Sequence, residues 1–254
     1  MKLSTLALSV VLALGAGAAS AAPLVLGDQV NVENQNGSTW TPTPIAGDSD
    51  GLSTVVSYRL DGGSTQNVRT GLHVLDYKQV GAAVGTSWTQ FLAFCLEPDV
   101  KLADPFDNPY TVKTLADASY GTVAGAIAEL WGRHFGSVNS DVTASAFQLA
   151  LWELAYGNTN RDLVTGDFRA FSSDARTLAQ NWLNSLDGTG PLATGLVVLK
   201  DQSGGYSRQD LLTWVKVDKP EEPGNEVPEP GVLALLGVAL VGLRMSRRRP
   251  LSAA

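Results

Sequence analysis

The chain has 254 residues, 44% of them hydrophobic and 17% charged, with a net charge of −7. Leaving out Lys2 and the four arginines after residue 243, 13 basic residues face 25 acidic ones, a net charge of −12; this argues against a nucleic-acid partner, whose phosphates demand lysine and arginine, and disfavours anionic lipid surfaces. The apolar content is enough for a core, which excludes a disordered chain, and the single cysteine, Cys95, excludes an internal disulfide.

The first 21 residues read as a signal peptide. Lys2 is the positive head, 6–16 is apolar or small apart from Ser9, and Ala19-Ser20-Ala21 is an A-x-A cleavage site. Residues 23–51, rich in Asn, Gly, Thr and Pro, read as an edge strand and loops. Val, Thr and Tyr over 52–60 predict a strand, with Asp61-Gly62-Gly63 as the turn after it. Residues 67–80 alternate through Val68, Leu72 and Val74, and 86–96 is another strand ending at Glu97-Pro98. The first half is therefore antiparallel β.

The pattern then becomes helical. Val123, Ile127, Leu130 and Trp131 recur at helical spacing within 114–135. Asp141 is placed as N-cap of a helix over 142–156 that stops at Gly157, and 167–186 is read as a third helix. Two strands follow, 192–200 and 206–217, with Gly204-Gly205 as their turn. The order β, α, β gives an α+β body over 22–217, an antiparallel sheet or barrel with a helical insert. A Pro/Glu linker over 218–226 leads out of it.

At the far end, Val227, Pro228, Glu229 and Pro230 precede thirteen residues without a charge, 231–243, and then Arg244, Arg247, Arg248 and Arg249. Thirteen helical residues rise only about 20 Å, short of the roughly 30 Å hydrocarbon core, so this is a short single transmembrane helix whose arginines snorkel to the cytoplasmic side. The three parts in this order resemble a PEP-CTERM sorting signal. The resemblance implies export, passing membrane attachment through the C-terminus, an exosortase-type membrane protease as partner, and a final place at the cell surface or in the extracellular polysaccharide matrix.

Familiar catalytic patterns are missing. His73 and His134 are far apart, no H-x-x-x-H or C-x-x-C exists, and no cofactor or metal is expected. His134 is read as a helix-end cap. Asp48-Ser49-Asp50-Gly51 and the run Glu97, Asp99, Asp104, Asp107 lack full calcium-loop spacing and read as solvated loops. What remains is Cys95 in Phe94-Cys95-Leu96-Glu97 and Gln148 in 147–153. At 100° per residue Gln148 shares its helix face with Ala144, Leu151, Trp152 and Ala155, while Glu153 lies on the other side with Ala146 and Ala150.

A thiol and a glutamine amide held together can condense. Sulfur attacks the amide carbon, ammonia leaves, and the resulting thioester can pass its acyl group to an amine. Here Cys95 is the nucleophile and Gln148 the acyl donor. The same residues also fit an inert buried cysteine and a glutamine bonded to a backbone carbonyl. The two motifs resemble the thioester (TQXA-type) domains of bacterial surface adhesins, whose pattern is an aromatic-Cys-apolar-acidic tetrad, a helix, and Thr-Gln-x-Ala-apolar-Trp. The match covers 86–157 and extends loosely to 217; Phe147 stands where the pattern has threonine. The resemblance implies an adhesin-like module, not a turnover enzyme, that attaches covalently to amines or hydroxyls, chiefly of an amine-bearing surface or matrix polymer or protein. Two other functions stay open: a non-covalent structural or binding protein of the matrix, and a polysaccharide hydrolase using a carboxylate pair such as Glu97 and Glu153.

Overall fold

The computed structural model describes residues 23–33, 51–100, 102, 109–157, 160–202 and 208–215. The signal peptide, the linker, the sorting segment with the short apolar helix expected there, and Asp48, Asp104 and Asp107 lie outside the described residues. Among the described residues no helix is long and apolar enough to cross a membrane, and no group of three His, Cys, Asp or Glu side chains is placed to hold a metal ion.

Among the described residues, eight strands and three main helices form the body: β1 (Gln29–Glu33), β2 (Leu52–Leu60), β3 (Gln66–Gln79), β4 (Thr89–Cys95), β5 (Tyr110–Lys113), α1 (Ala124–His134), α2 (Asp141–Tyr156), β6 (Phe168–Ala170), α3 (Asp174–Asn184), β7 (Leu196–Asp201) and β8 (Leu211–Trp214). Every pairing is antiparallel. The order is β1-β5-β7-β8-β4-β3-β2-β6, and a further β1–β3 pairing closes six of the strands into a barrel. The expected α+β class, with an antiparallel barrel and helices inserted between its strands, is what the chain adopts.

The long strand β3 makes this possible. Its second half, from His73, pairs with β4 and then also with β1, inside the barrel wall. Its first half, up to Leu72, pairs with β2 and so runs out as a two-stranded flap, which β6 extends. The strand changes partners between Leu72 and His73, just after Gly71. At Gly71 φ is +151°, and a Cβ would lie 1.9 Å from the Leu52 carbonyl oxygen, so only glycine fits.

Helix α2 fills the angle between flap and barrel, and its residues from Ala144 to Leu154 are all buried. Three expectations need correcting. The N-cap of α2 is Ser140, which exchanges bonds with Thr143 in a capping box, while Asp141 opens the helix proper and accepts the Ser53 N–H. The third helix is shorter than 167–186: Phe168–Ala170 pairs with β2 as an edge strand, and Ser173 caps α3. His134 ends α1 but caps nothing; its ring stacks on Trp182, 5.0 Å between centroids, and its Nε2 lies 2.8 Å from Ser185 Oγ, tying α1 to α3.

Gly71→Ala is expected to destabilise the protein by about 3 kcal/mol, the combined cost of a disfavoured φ and a backbone collision. The urea midpoint would show it. A wild-type midpoint would mean the strand can change partners without glycine.

Candidate functional site

Cys95 is the last residue of β4. On one side it faces Leu211 of β8, but on the other β3 has already left, since the β3–β4 register ends at His73 opposite Ala93. Two main-chain groups of Cys95 would therefore be stranded in the core, at a cost of about 1–3 kcal/mol each. Gln148 of α2 supplies the missing strand. Its Oε1 accepts the Cys95 N–H at 2.9 Å, and its Nε2 donates to the Cys95 carbonyl at 2.6 Å. Gln148 is fully buried and Cys95 is 5% exposed.

The neighbouring aromatics hold this clamp in register. Phe94 and Phe147 stack at 4.6 Å, and Trp131 meets both edge-on at 5.9 and 5.4 Å. Phe147, at the position where threonine was the pattern, is thus a core residue of the aromatic cluster, and nothing of it lines the cavity beside Cys95.

That cavity has a volume of about 680 Å³. Cys95, Gln148 and His73 line it together with the rings of Tyr58 and Trp152, tilted 42° to each other with centroids 5.7 Å apart; Arg69, Asp99 and Gln209 add polar groups. The thiol of Cys95 is free, and burial, with the Glu97 carboxylate adding to it, pushes its pKa well above the ordinary thiol value. Burial drives His73 the other way, down to about 4, so its ring is neutral at physiological pH. His73 was not singled out as a site residue in sequence. The signal was available only through strand register: it faces Ala93, and Ala93 shares a face with Cys95 two residues on.

Glu97 and Glu153 do not line this cavity and do not form a pair. Glu97 accepts the Asp210 N–H at 2.8 Å and fixes β8 beside β4; burial raises its pKa, with the nearby Asp210 carboxylate adding to the rise. Glu153 is buried on the opposite face of α2, against Gly157, and neither carboxyl oxygen makes a well-formed hydrogen bond. Burial pushes its pKa up to about 8; Asp162 and Asp167 reinforce the shift and the Asp162 amide only partly opposes it.

The sorting residues lie in the other part of the chain. Residues 226–249 match the model of the PEP-CTERM protein-sorting motif. The match takes in Val227, Pro228, Glu229 and Pro230 and runs through Arg247, Arg248 and Arg249. The motif implies an exported surface protein, attached at the membrane through its C-terminus and processed by an exosortase-type membrane enzyme. Among solved structures, the N-terminal thioester domain of fibronectin-binding protein SfbI from Streptococcus pyogenes is weakly similar. The TM-score is 0.35 and the identity 12%, over 68% of this chain and 98% of that one. No curated protein matches the chain.

The raised pKa of Glu153 fixes a pH dependence. A carboxyl with a folded pKa near 8 and an ordinary value of 4.5 favours the fold fully below pH 4.5, and that contribution is lost as pH rises toward 8. His73 has the opposite sign, its contribution being lost as pH falls from 6.5 toward 4. Glu153→Gln is therefore expected to gain stability over wild type between pH 5 and pH 8, by about 2 kcal/mol at the upper end. Urea unfolding at the two pH values measures it, and a gain independent of pH would mean that the carboxyl is already ionised.

Proposed function

We propose that this exported protein is an adhesin-like surface module whose Cys95 and Gln148 condense into an internal thioester for covalent attachment to amines. The observation that carries the reading is the clamp itself. It places the Gln148 amide carbon beside the residue whose sulfur must attack it. The Cys95 N–H already bonds Gln148 Oε1, the oxygen on which negative charge develops in the tetrahedral intermediate, so it serves as an oxyanion donor without reorganisation. The sulfur–carbon bond forms, the carbon–nitrogen bond breaks, and Nε2 leaves as ammonia with the thiol proton.

Burial then does two things. It keeps water from the acyl carbon, and by raising the thiol pKa it makes Cys95 a reluctant leaving group. Such a bond persists until a strong nucleophile enters the cavity. An amine attacking Gln148 Cδ forms an amide and returns the Cys95 thiol. This is one acyl transfer per molecule, with no turnover, and the partners it implies are the exosortase-type enzyme and an amine-bearing surface or matrix polymer or protein.

A second reading is a non-covalent matrix-binding protein of the same fold. The same two hydrogen bonds favour it, because an amide with both ends satisfied has no need to react. The hydrolase reading has no comparable support, since its carboxylates are apart from the cavity.

The mature protein purified from its producing cells is expected to weigh one ammonia less than its sequence, with Cys95→Ala restoring the full mass and methylamine adding once, at Gln148. Full mass with a titratable thiol in the wild type would leave the non-covalent reading. Deletion of 227–254 is expected to release the protein into the medium; full retention at the envelope would place the anchor elsewhere.

A further inference from the structure

We propose that the cavity beside Cys95 also accepts hydroxyl nucleophiles, with His73 as the general base that lets a sugar-like hydroxyl take the acyl group as an ester. The inference rests on the thioester reading above and widens its acceptor class. An unprotonated amine attacks a thioester unaided. A hydroxyl is far too weak an acid and too weak a nucleophile to do so in a buried site unless a base removes its proton as it attacks. The cavity holds such a base. His73 lines it with Cys95 and Gln148, and the β3–β4 register sets it on the Cys95 side of the sheet. Its burial keeps it neutral, so a lone pair is present at physiological pH.

Arg69 and Asp99 bring a donor and an acceptor to the same wall. The rings of Tyr58 and Trp152 add apolar surface to the wall, and the cavity volume of about 680 Å³ is within the usual range for small-ligand sites.

The step balances without a co-reactant. The hydroxyl oxygen bonds to Gln148 Cδ while its proton passes to His73. The Cδ–Sγ bond breaks, and His73 returns the proton to Cys95 Sγ. The products are an ester at residue 148 and a free thiol.

The test uses the full mature protein with glycerol and methylamine as separate probes, read by intact mass and thiol titration. Glycerol is expected to add once, with release of one thiol. Its rate is expected to stay level from pH 6 to 8, since His73 is already deprotonated there; the other titratable groups on the cavity wall are Tyr58, Arg69, Cys95 and Asp99. A rate climbing tenfold per pH unit would assign the reaction to hydroxide and overturn the proposal. His73→Gln is expected to lower the ratio of glycerol to methylamine rates by about 100-fold; an unchanged ratio overturns it. If methylamine adds and glycerol does not, the hydroxyl acceptor is wrong and the thioester stands. If the wild type has full mass and neither probe adds, both fall together.

Discussion

The two hydrogen bonds between Gln148 and the main chain of Cys95 are the constraint around which the rest of the body is arranged. A barrel strand that loses its neighbour leaves peptide groups bare, and bare peptide groups in a core are too costly to keep. Here β3 must leave β4 to form the flap with β2. A side chain therefore has to take its place, and it must offer one acceptor and one donor at the spacing of a peptide group. A primary amide does this. Its position is paid for by α2, whose burial between flap and α3 fixes the glutamine in depth and direction, and by the Phe94–Phe147 stack, which locks the two motifs one residue to the side.

This arrangement separates two demands that conflict in a reactive group. Forming a thioester requires proximity, which the clamp provides. Keeping it requires dryness, and a dry thiol resists ionisation, as the raised pKa of Cys95 shows. Proton transfer then becomes the limiting need, and in the proposed transfer to a hydroxyl it falls to a neutral imidazole in the same cavity, which adds no charge to the core. His73 owes that neutrality to the burial that protects the acyl carbon, so protection and proton acceptance share one physical cause.

The sequence made some of this legible. Alternation revealed β2, β3 and β4, and the helical stripe around Gln148 pointed inward because one buried amide among apolar neighbours has to find a partner. Other features were hidden. Closure of the barrel by β1 on β3 joins segments more than forty residues apart, which local pattern cannot report. β5 has only four residues, too few for alternation to be distinctive. β6 reads in sequence as part of a helix because Phe168 and Ala170 suit either period, and only the Ser173 cap separates the two elements. Glu153 illustrates the limit of a helical wheel. Placed opposite Gln148, it belonged to the other face, but α2 is covered on both faces, so being opposite did not mean being wet.

The face of α2 that carries Gln148 follows a single rule. Asp141, Ser145, Gln148 and Trp152 fall at steps of four, three and four, one stripe of the helix. Asp141 accepts the Ser53 N–H; Ser145 accepts the Thr54 N–H and donates to the Thr70 carbonyl; Gln148 clamps Cys95; Trp152 walls the cavity. Each of the first three meets main-chain groups where β2, β3 and β4 part company. An all-apolar stripe would bury more hydrocarbon but leave those groups unpaired. The polar stripe is thus required by the sheet, before any chemistry is considered, and the proposed site for acyl transfer lies where one of its members, Gln148, faces the strand end that carries a thiol.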